Sequence, residues 1–300
     1  MSENLAPSGQ PAPVVVSVII PCYNAAKFLA AAVQSVLEQK IADCEILIIN
    51  DGSTDNTAEV IRSLGHHPEL RVLTHPGQIN EGVCTSRQLG IREARGEFVA
   101  FLDSDDAYLP GKLARHIALL RQNPGVVLVH TPIEFHSEDS SLEYGWNCSM
   151  GEKAMTYDLT RQWFFLRRNM IANSTVVCRR SAIFPDDLPK DMVVPAEDWV
   201  IWNSMATRGL FHFDPEPLTS VLVHTASYTS RLTRWPGTTE LRAIEFYLSV
   251  ITRLPGLRLR LRALFLLGYY LFKLAKIRAG TDWRPGFFGR FLEWIFGRMK

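Results

Sequence analysis

Short apolar strands alternate with segments of helical spacing through the amino-terminal part of the chain, and this alternation restricts the possible folds most. Val14–Pro21 is a β-branched run, interrupted by Ser17, that ends at a proline, as is typical of a buried parallel strand. Ala25–Gln39 follows with apolar residues at helical spacing, and Glu45–Asn50 is a second apolar run. This order predicts an α/β fold with a doubly wound, mostly parallel sheet.

The same alternation continues along the chain. We predict a leader over residues 1–13, an α/β domain over 14–235 and a basic amphipathic helical extension over 240–300. Residues 134–160 are polar and irregular and predict a surface loop. The further predicted strands are Arg71–Thr74, Phe98–Leu102, Val126–Thr131, Ser174–Cys178 and Leu218–His224. The further helices are Gly82–Ala94, Leu109–Gln122 and Glu197–Thr207, together with one that Thr54 or Asp55 caps and that runs to Leu64.

Polar side chains follow three of the predicted strands at the point where each strand ends. Pro21–Asn24 ends the first strand, Asp51 ends the second, and Asp103–Asp106 ends the fourth. Open α/β sheets bind their ligands in the crevice beyond the carboxyl ends of the strands. The three polar groups therefore predict one site at a single edge of the sheet.

The acidic cluster Asp103-Ser104-Asp105-Asp106 holds three carboxylates in four residues. Such groups repel one another at the end of an apolar strand unless a cation is present. Oxygen ligands suit Mg²⁺ or Mn²⁺, so we predict an ion that Asp105 shares with a diphosphate. The alternative is a solvated turn that caps the helix beginning at Leu109.

Asp51 and Tyr23 have side chains suited to binding a nucleotide. A carboxylate at the end of a buried strand accepts hydrogen bonds from a base or a ribose, whereas the alternative for Asp51 is an Asx-turn with Gly52. Tyr23 offers an aromatic face for stacking. Neither GxGxxG nor GxxxxGK[ST] follows these strands, which argues against dinucleotide cofactors and P-loop phosphate chemistry.

The bulk composition excludes several classes of protein. A net charge of +1 does not suit a nucleic-acid binder, and no apolar run reaches the roughly 18 residues of a membrane span. The five cysteines are widely spaced without a CxxC pair, so neither a disulfide framework nor a zinc site is indicated. Without a signal-peptide pattern, these features predict a cytoplasmic protein.

Three segments together resemble the amino-terminal half of the family 2 glycosyltransferases, which have the GT-A fold. They are VSVIIPCYNAAKFLAAAVQSVLEQ, EILIINDGSTDNT and NEGVCTSRQLGIREARGEFVAFLDSDDAYLPGKL, and the likeness continues more loosely to about residue 235. The resemblance implies an enzyme that moves a sugar, with inversion, from a nucleoside diphosphate sugar to a hydroxyl of a glycan or lipid-linked acceptor. It also implies Mn²⁺ or Mg²⁺ as cofactor.

The resemblance implies roles for the matched positions. Asp105 would ligate the metal, and His224 would add a ligand or a phosphate contact. The family's usual Arg-x-His reads Leu222-Val223-His224 here, so an ordinary core or surface histidine is the alternative. The implied nucleotide-binding residues are Pro21 and Tyr23 around the base, Asp51 on the base, Asp103 and Ser104 near the ribose, and Arg87 towards phosphate.

The acidic pair Glu197-Asp198, followed by Trp199, matches the family's acidic pair before a helix in the second half. The resemblance implies that Asp198 is the general base for the acceptor hydroxyl and that Glu197 and Trp199 lie on the acceptor side. The alternative is a charge pair that favours the dipole of a helix. Arg231-Leu-Thr-Arg234-Trp235 resembles the Gln-x-x-Arg-Trp of processive synthases, but without membrane spans we predict transfer of one sugar only.

The carboxyl-terminal extension is strongly basic. From Glu240 to Lys300 it holds twelve Lys and Arg against four Asp and Glu, mixed with Leu, Phe and Tyr. Such a pattern predicts helices in an anionic membrane interface, on the inner face of the membrane, near a lipid-linked acceptor. The alternative is that these helices pack on the α/β domain or form a dimer contact.

Two other functions compete with glycosyl transfer. A nucleotidyltransferase that makes nucleotide sugars would need a glycine-rich, basic loop after the first strand, where this chain has PCYNAAKF. A non-catalytic nucleotide- or sugar-binding module of the same fold would bind without turnover. The presence of Asp51, Asp105 and Asp198 together argues against that module.

Overall fold

The computed structural model describes residues 14–65, 67–137, 156–157, 169, 171–188, 196–225, 227, 237–251 and 257–278. It divides the chain into two compact units, one that ends at Ser227 and one that follows it. The predicted leader, the Arg231–Trp235 motif and the aromatic end of the extension lie outside the described residues. Among the helices that are described, none is long and apolar enough to cross a membrane.

In its described part, the first unit is built on an eight-stranded sheet in the order β3-β2-β1-β4-β9-β6-β10-β8. The four strands from β3 to β4 are parallel, whereas β9 runs antiparallel to both of its neighbours, β4 and β6. The strands of the eight-stranded sheet are β1 (Val16–Cys22), β2 (Cys44–Asn50), β3 (Leu70–Thr74), β4 (Phe98–Phe101), β6 (Val126–His130), β8 (Thr156–Tyr157), β9 (Val177–Arg179) and β10 (Leu210–Phe213).

A second, three-stranded sheet lies at the carboxyl end of β4. It has the order β5-β11-β7, with β5 (Ala107–Tyr108), β7 (Glu134–Ser137) and β11 (Thr219–Val223). β11 pairs antiparallel with β5, which directly follows the acidic cluster, and parallel with β7. This pairing brings the end of β11 next to the acidic cluster. The prediction of an irregular loop over residues 134–160 was wrong where β7 and β8 form.

Helices flank the larger sheet. In the first unit they are α1 (Leu29–Leu37), α2 (Thr57–Ser63), α3 (Val83–Glu93), α4 (Lys112–Gln122) and α5 (Glu197–Met205). All seven residues of β1 are buried, which explains why most of them are apolar, since a central parallel strand is covered on both faces. The second unit contains α6 (Thr238–Val250) and α7 (Leu257–Arg278).

Gly90 allows α3 to approach the sheet closely. A Cβ atom at this position would lie 2.5 Å from Cγ2 of Ile19, which is less than real contacts permit. The close approach packs α3 against both β1 and β2, since the same Cβ atom would lie 3.2 Å from Cδ1 of Ile49. The observed sheet and helices confirm the predicted α/β class.

Candidate active site

The loops after β1 and β2 are joined by hydrogen bonds between side chains and backbone. Oδ1 of Asn24, whose φ is 51°, accepts a bond from the Thr54 N–H at 2.8 Å, and the Asn24 N–H donates to Ser53 Oγ at 3.0 Å. These bonds hold the loop that carries Tyr23. Tyr23 is 44% exposed, whereas Pro21 is buried within β1, so of this predicted pair Tyr23 presents an open face.

Asp51 is buried at the end of β2, where the sequence predicts it. Its carboxylate accepts bonds from the backbone N–H groups of Glu81 at 2.8 Å and Gly82 at 3.0 Å, at the entrance to α3. The side-chain bond of the predicted Asx-turn is made instead by Asn50, whose Oδ1 accepts from the Ser53 N–H at 3.1 Å. A carboxylate has about four acceptor positions, so Asp51 keeps capacity for a ligand.

His75 is a buried residue beside Asp51 that the sequence analysis missed. Its Nε2 lies 2.9 Å from Ser86 Oγ and 3.5 Å from Asp51 Oδ1. It directly follows β3, so the rule that placed Asp51 at a strand end would also have found His75. The histidine joins α3 to the carboxylate that is predicted to bind the base.

Asp106 and its two neighbours in the acidic cluster have different surroundings. Asp106 accepts bonds from Ser174 Oγ at 2.5 Å and from the Leu222 N–H of β11 at 3.3 Å. Burial, and then the charges of Asp105 and Asp103, raise the pKa of Asp106 well above its ordinary value. Asp106 therefore anchors the smaller sheet to the acidic cluster. Ser104 and Asp105 are half-buried next to it.

The two predicted metal ligands lie side by side. His224 Nε2 is 3.0 Å from Asp105 Oδ2, although the two residues are far apart in sequence, and the His224 ring packs against Phe28 with centroids 4.4 Å apart. The part of the chain that is described contains no group of three or more His, Cys, Asp or Glu able to hold a metal. One carboxylate and one imidazole fit an ion that takes its remaining ligands from a substrate and water.

Arg87 connects the acidic cluster to the acidic pair. Its guanidinium is 2.6 Å from Asp103 Oδ1 and also hydrogen-bonds to Oε1 of Glu197 at the start of α5. Arg87 and Glu197 are both buried. Arg87 is predicted to face phosphate and Glu197 to face the acceptor. The structure pairs the two side chains with each other, and their ligand contacts stay predictions.

Three buried polar atoms around this bridge have no hydrogen-bond partner among the described residues: Arg87 Nε, Glu197 Oε2 and Asn173 Oδ1. Asn173 Nδ2 meanwhile donates to Asp103 Oδ1 at 3.2 Å. Buried donors and acceptors are costly unless a ligand or water satisfies them. The site therefore suits a ligand that carries several hydroxyl groups.

Asp198 is half-buried, whereas Glu197 and Trp199 are buried, so Asp198 is the accessible member of the three. Its Oδ2 accepts a bond from Asn169 Nδ2 at 2.7 Å, and Asn169 Oδ1 accepts from the Ile171 N–H at 3.1 Å. The second bond sets the orientation of the Asn169 amide.

The Arg87 bridge from Asp103 to Glu197 brings the adjacent Asp198 close to the acidic cluster. Desolvation raises the pKa of Asp103, the charge of Arg87 opposes this rise, and the negative charges of Asp105 and Asp198 add to it. Charges more than about 10 Å apart interact little. The acidic cluster and the predicted base therefore share one site.

Asn173 and Ser174 were missed for a topological reason. They lie in a short 3₁₀ turn just before β9, and β9 runs antiparallel to β4. The beginning of an antiparallel strand lies at the carboxyl edge of its parallel neighbours, so these residues reach the acidic cluster. A parallel β9 would have placed them at the opposite edge. No local pattern indicates Asn169.

Residues 17–183 match the family model described as glycosyl transferase family 2. Over 191 residues the chain is 29% identical to the UDP-Glc:alpha-D-GlcNAc-diphosphoundecaprenol beta-1,3-glucosyltransferase of Escherichia coli, covering 64% of this chain and 69% of that protein. It is 34% identical over 146 residues to the chondroitin synthase of Pasteurella multocida, covering 47% of this chain and 15% of the synthase. An uncharacterized glycosyltransferase of Rickettsia bellii is 30% identical over 65% of this chain and 27% of its own length. The chain thus spans under a third of the length of these last two relatives.

Two solved structures show the same fold. Residues 1–349 of Staphylococcus aureus TarS, in complex with UDP-GlcNAc, align with a TM-score of 0.65 at 17% identity, over 86% of this chain and 72% of TarS 1–349. The mannosyltransferase PcManGT of Pyrobaculum calidifontis, in complex with GDP-Man and Mn²⁺, aligns with a TM-score of 0.58 at 17% identity, over 94% of this chain and 81% of that one. These alignments confirm the predicted GT-A fold.

Proposed function

Because the chain belongs to glycosyl transferase family 2, we propose that it is an inverting glycosyltransferase that moves one sugar from a nucleoside diphosphate sugar to a hydroxyl. The observation that carries this proposal is the Arg87 bridge between Asp103 and Glu197. Displacement at a sugar carbon needs a leaving-group side and a base side that face each other. Arg87 joins the acidic cluster, on the proposed leaving-group side, to the acidic pair, on the proposed base side.

In the proposed reaction, Asp198 accepts the proton of the acceptor hydroxyl. The acceptor oxygen then forms a bond to the anomeric carbon while the bond from that carbon to the diphosphate oxygen breaks, with inversion. Asn169 orients the Asp198 carboxylate through its 2.7 Å hydrogen bond. Asp105 and His224 would hold a Mn²⁺ or Mg²⁺ ion, which neutralises charge on the departing diphosphate when bound.

On the donor side, Tyr23 stacks on the base and Asp51 accepts a hydrogen bond from it. The exposure of Tyr23 and the remaining acceptor capacity of Asp51 support these roles. The polar atoms without partners, on Glu197 and Asn173, suit the hydroxyls of the donor sugar. The donor complexes of TarS and PcManGT, two proteins of the same fold, are consistent with this arrangement.

On the acceptor side, we propose a glycan or lipid-linked hydroxyl at the cytoplasmic face of a membrane. The name of the E. coli relative contains a diphosphoundecaprenol acceptor, which supports the lipid-linked alternative. Segment 240–300 would provide the peripheral contact with the membrane. Its net charge of +8, from the twelve basic and four acidic residues, suits the anionic inner leaflet.

Calorimetric titration with UDP, GDP, dTDP and CMP, each with Mn²⁺ and with EDTA, tests the donor site. We expect Mn²⁺-dependent binding of one nucleoside diphosphate and its loss in Asp105→Ala. Asp186→Ala, which changes an exposed aspartate, is the control. Unchanged affinity in Asp105→Ala would contradict the metal assignment, and a failure of all four nucleotides to bind would contradict the proposed function.

A further inference from the structure

Helix α7 of the second unit presents an apolar stripe to solvent. Five large side chains on one side of this helix are between 39% and 56% exposed: Leu261 (56%), Leu264 (52%), Phe265 (39%), Leu271 (49%) and Phe272 (50%). Their spacing of three, four and seven residues places them on one face of an α-helix. Gly268 and Ala275, which are also exposed, continue the same face. We call the five large residues the apolar stripe.

In the described part of the second unit, the contact between α6 and α7 buries a different face of α7. α7 buries its opposite face, which carries Ala263, Leu266 and Leu267, and Tyr270 stacks on Tyr247 of α6 with ring centroids 5.9 Å apart. The helix therefore has two apolar faces, and α6 covers one of them. Contiguous exposed apolar surface on a helix indicates a partner or a membrane.

Cationic side chains border the apolar stripe on both sides. α7 contains six Lys and Arg and no Asp or Glu. At 100° per residue, Arg260 and Arg278 lie along one border of the stripe and Arg262 and Lys276 along the other. Lys276 Nζ lies 5.7 Å from the centroid of the Phe272 ring, as expected for a residue at that border.

The charges decide between a bilayer and a second copy of this chain. A two-fold contact between two stripes would bring cationic borders near each other without any acidic residue of α7 to offset them. An anionic lipid surface offers an apolar layer for the stripe and negative head groups for both borders. We propose that α7 lies in the plane of an anionic bilayer interface, with the apolar stripe inserted and its basic borders on the head groups.

This inference deepens the proposed membrane contact and rests on it, but it does not depend on glycosyl transfer. Co-sedimentation of the full-length chain with phosphatidylglycerol-containing vesicles and with pure phosphatidylcholine vesicles tests it. We expect binding to the anionic vesicles that weakens with added salt. Leu264→Glu should reduce the partition constant of the chain onto the anionic vesicles by about tenfold or more, because it places a carboxylate within the stripe.

The control is Val72→Glu, the same type of change at a 48% exposed position on β3 of the first unit. It should bind vesicles as the unchanged chain does. The double variant Arg260→Gln/Arg278→Gln should retain weak binding but lose most of its preference for anionic lipid. Equal binding by Leu264→Glu and Val72→Glu, or no vesicle binding by the full-length chain, would overturn the proposal.

Two further measurements separate the alternatives. If sedimentation shows a dimer that Leu264→Glu dissociates, a second copy covers the stripe and the bilayer proposal is wrong. Nucleotide binding with Mn²⁺, measured on the same samples, should be unchanged in Leu264→Glu. Suppose that no sample binds nucleotide while vesicle binding is intact. That result would contradict the proposed glycosyltransferase function and would support the apolar stripe as a membrane-binding surface.

Discussion

Glu197 and Asp198 are adjacent acids with opposite surroundings. Glu197 is buried and hydrogen-bonded to Arg87, whereas Asp198 is half-buried and held by Asn169. A buried carboxylate depends on its arginine partner to compensate its charge, while an accessible one is able to meet a substrate hydroxyl. Substitutions at the two positions should therefore have different effects.

Replacing Asp198 tests its role as the base. Asp198→Asn should bind the nucleotide donor with unchanged affinity, yet lose about 10²- to 10⁴-fold in kcat, because the amide is unable to accept the acceptor proton. Donor affinity by calorimetry and product formation by chromatography measure the two effects. Asp186→Asn is the matched control at an exposed site. Near-normal turnover in Asp198→Asn would remove this residue as the base.

Replacing Arg87 tests the buried bridge. Arg87→Met should lower the free energy of unfolding by about 3 kcal/mol or more, because it leaves the carboxylate of Glu197 buried without its partner. Adding Glu197→Gln should recover part of that loss, since it removes the buried charge. Urea unfolding of Arg87→Met, Glu197→Gln and the double variant gives the coupling free energy between the two side chains. Strictly additive losses would mean that the two side chains do not interact.

At the scale of the elements, Gly52 joins the loop after β2 to the loop before α3. Its φ is 66°, and a Cβ atom there would lie 2.5 Å from the backbone carbon of Ile79 and 2.6 Å from the nitrogen of Asn80. The glycine thus allows both loops to approach next to Asp51. The close contact and the positive φ make this position intolerant of any side chain.

Gly65 provides a matched control for Gly52. It has a φ of 77°, but a Cβ atom there would meet nothing within 4 Å. Both alanine variants should lose about 1 kcal/mol from the positive φ. Gly52→Ala should lose more stability than Gly65→Ala and should also weaken nucleotide binding, because the loops beside Asp51 must move. Equal stability and equal nucleotide affinity in the two variants would contradict this account.

Three buried histidines lie on α4, β6 and β10. Burial, with the neighbouring charge of Lys112 and the other histidines, lowers the pKa of His116 well below its usual value and that of His130 to about 3. Burial also lowers the pKa of His212, although Asp214 opposes this shift. These histidines stay neutral in the folded chain at neutral pH.

The histidines should make the fold sensitive to acid. The unfolded chain binds protons at these positions below about pH 6.5, whereas the folded chain does not, so stability rises with pH in this range. We expect the free energy of unfolding to fall from pH 6.5 towards pH 3, by up to about 1.4 kcal/mol per pH unit for each histidine that stays neutral. Urea unfolding at several pH values measures this. His116→Gln should reduce the slope, whereas His67→Gln, at an exposed position, should leave it unchanged.

At the scale of the whole molecule, the site residues belong to one unit and the apolar stripe to the other. Nucleoside diphosphate with Mn²⁺ should therefore slow amide hydrogen exchange in peptides that contain Asp51, Gly82, Asp103 and Asp198. Peptides from α6 and α7 should exchange at unchanged rates. Anionic vesicles should give the reverse pattern. Nucleotide protection confined to α7 would place the donor site elsewhere.

Much of the first unit could be predicted because its signals are local. A buried parallel strand has an apolar run whichever strand it pairs with. The polar residues at the ends of β1, β2 and β4 indicate the expected ligand edge of the sheet, even when the order of the other strands is not known. Asp51, Asp103 and Asp105 were located in this way. Apolar residues at helical spacing predicted the helices in the same local way, although the helix predicted from Leu109 begins at Lys112.

The tertiary structure alone decided what depends on pairing between distant segments. An apolar run does not record strand direction, so only the structure shows that β9 is antiparallel and brings Asn173 and Ser174 to the site. Arg87 and Glu197 are 110 residues apart, and no local pattern encodes their contact. Likewise, the amphipathic pattern of α7 did not show which face α6 covers. The sequence by itself determined where apolar and polar residues lie along each element; only the packing of elements against one another decided which of them are buried and which of them meet.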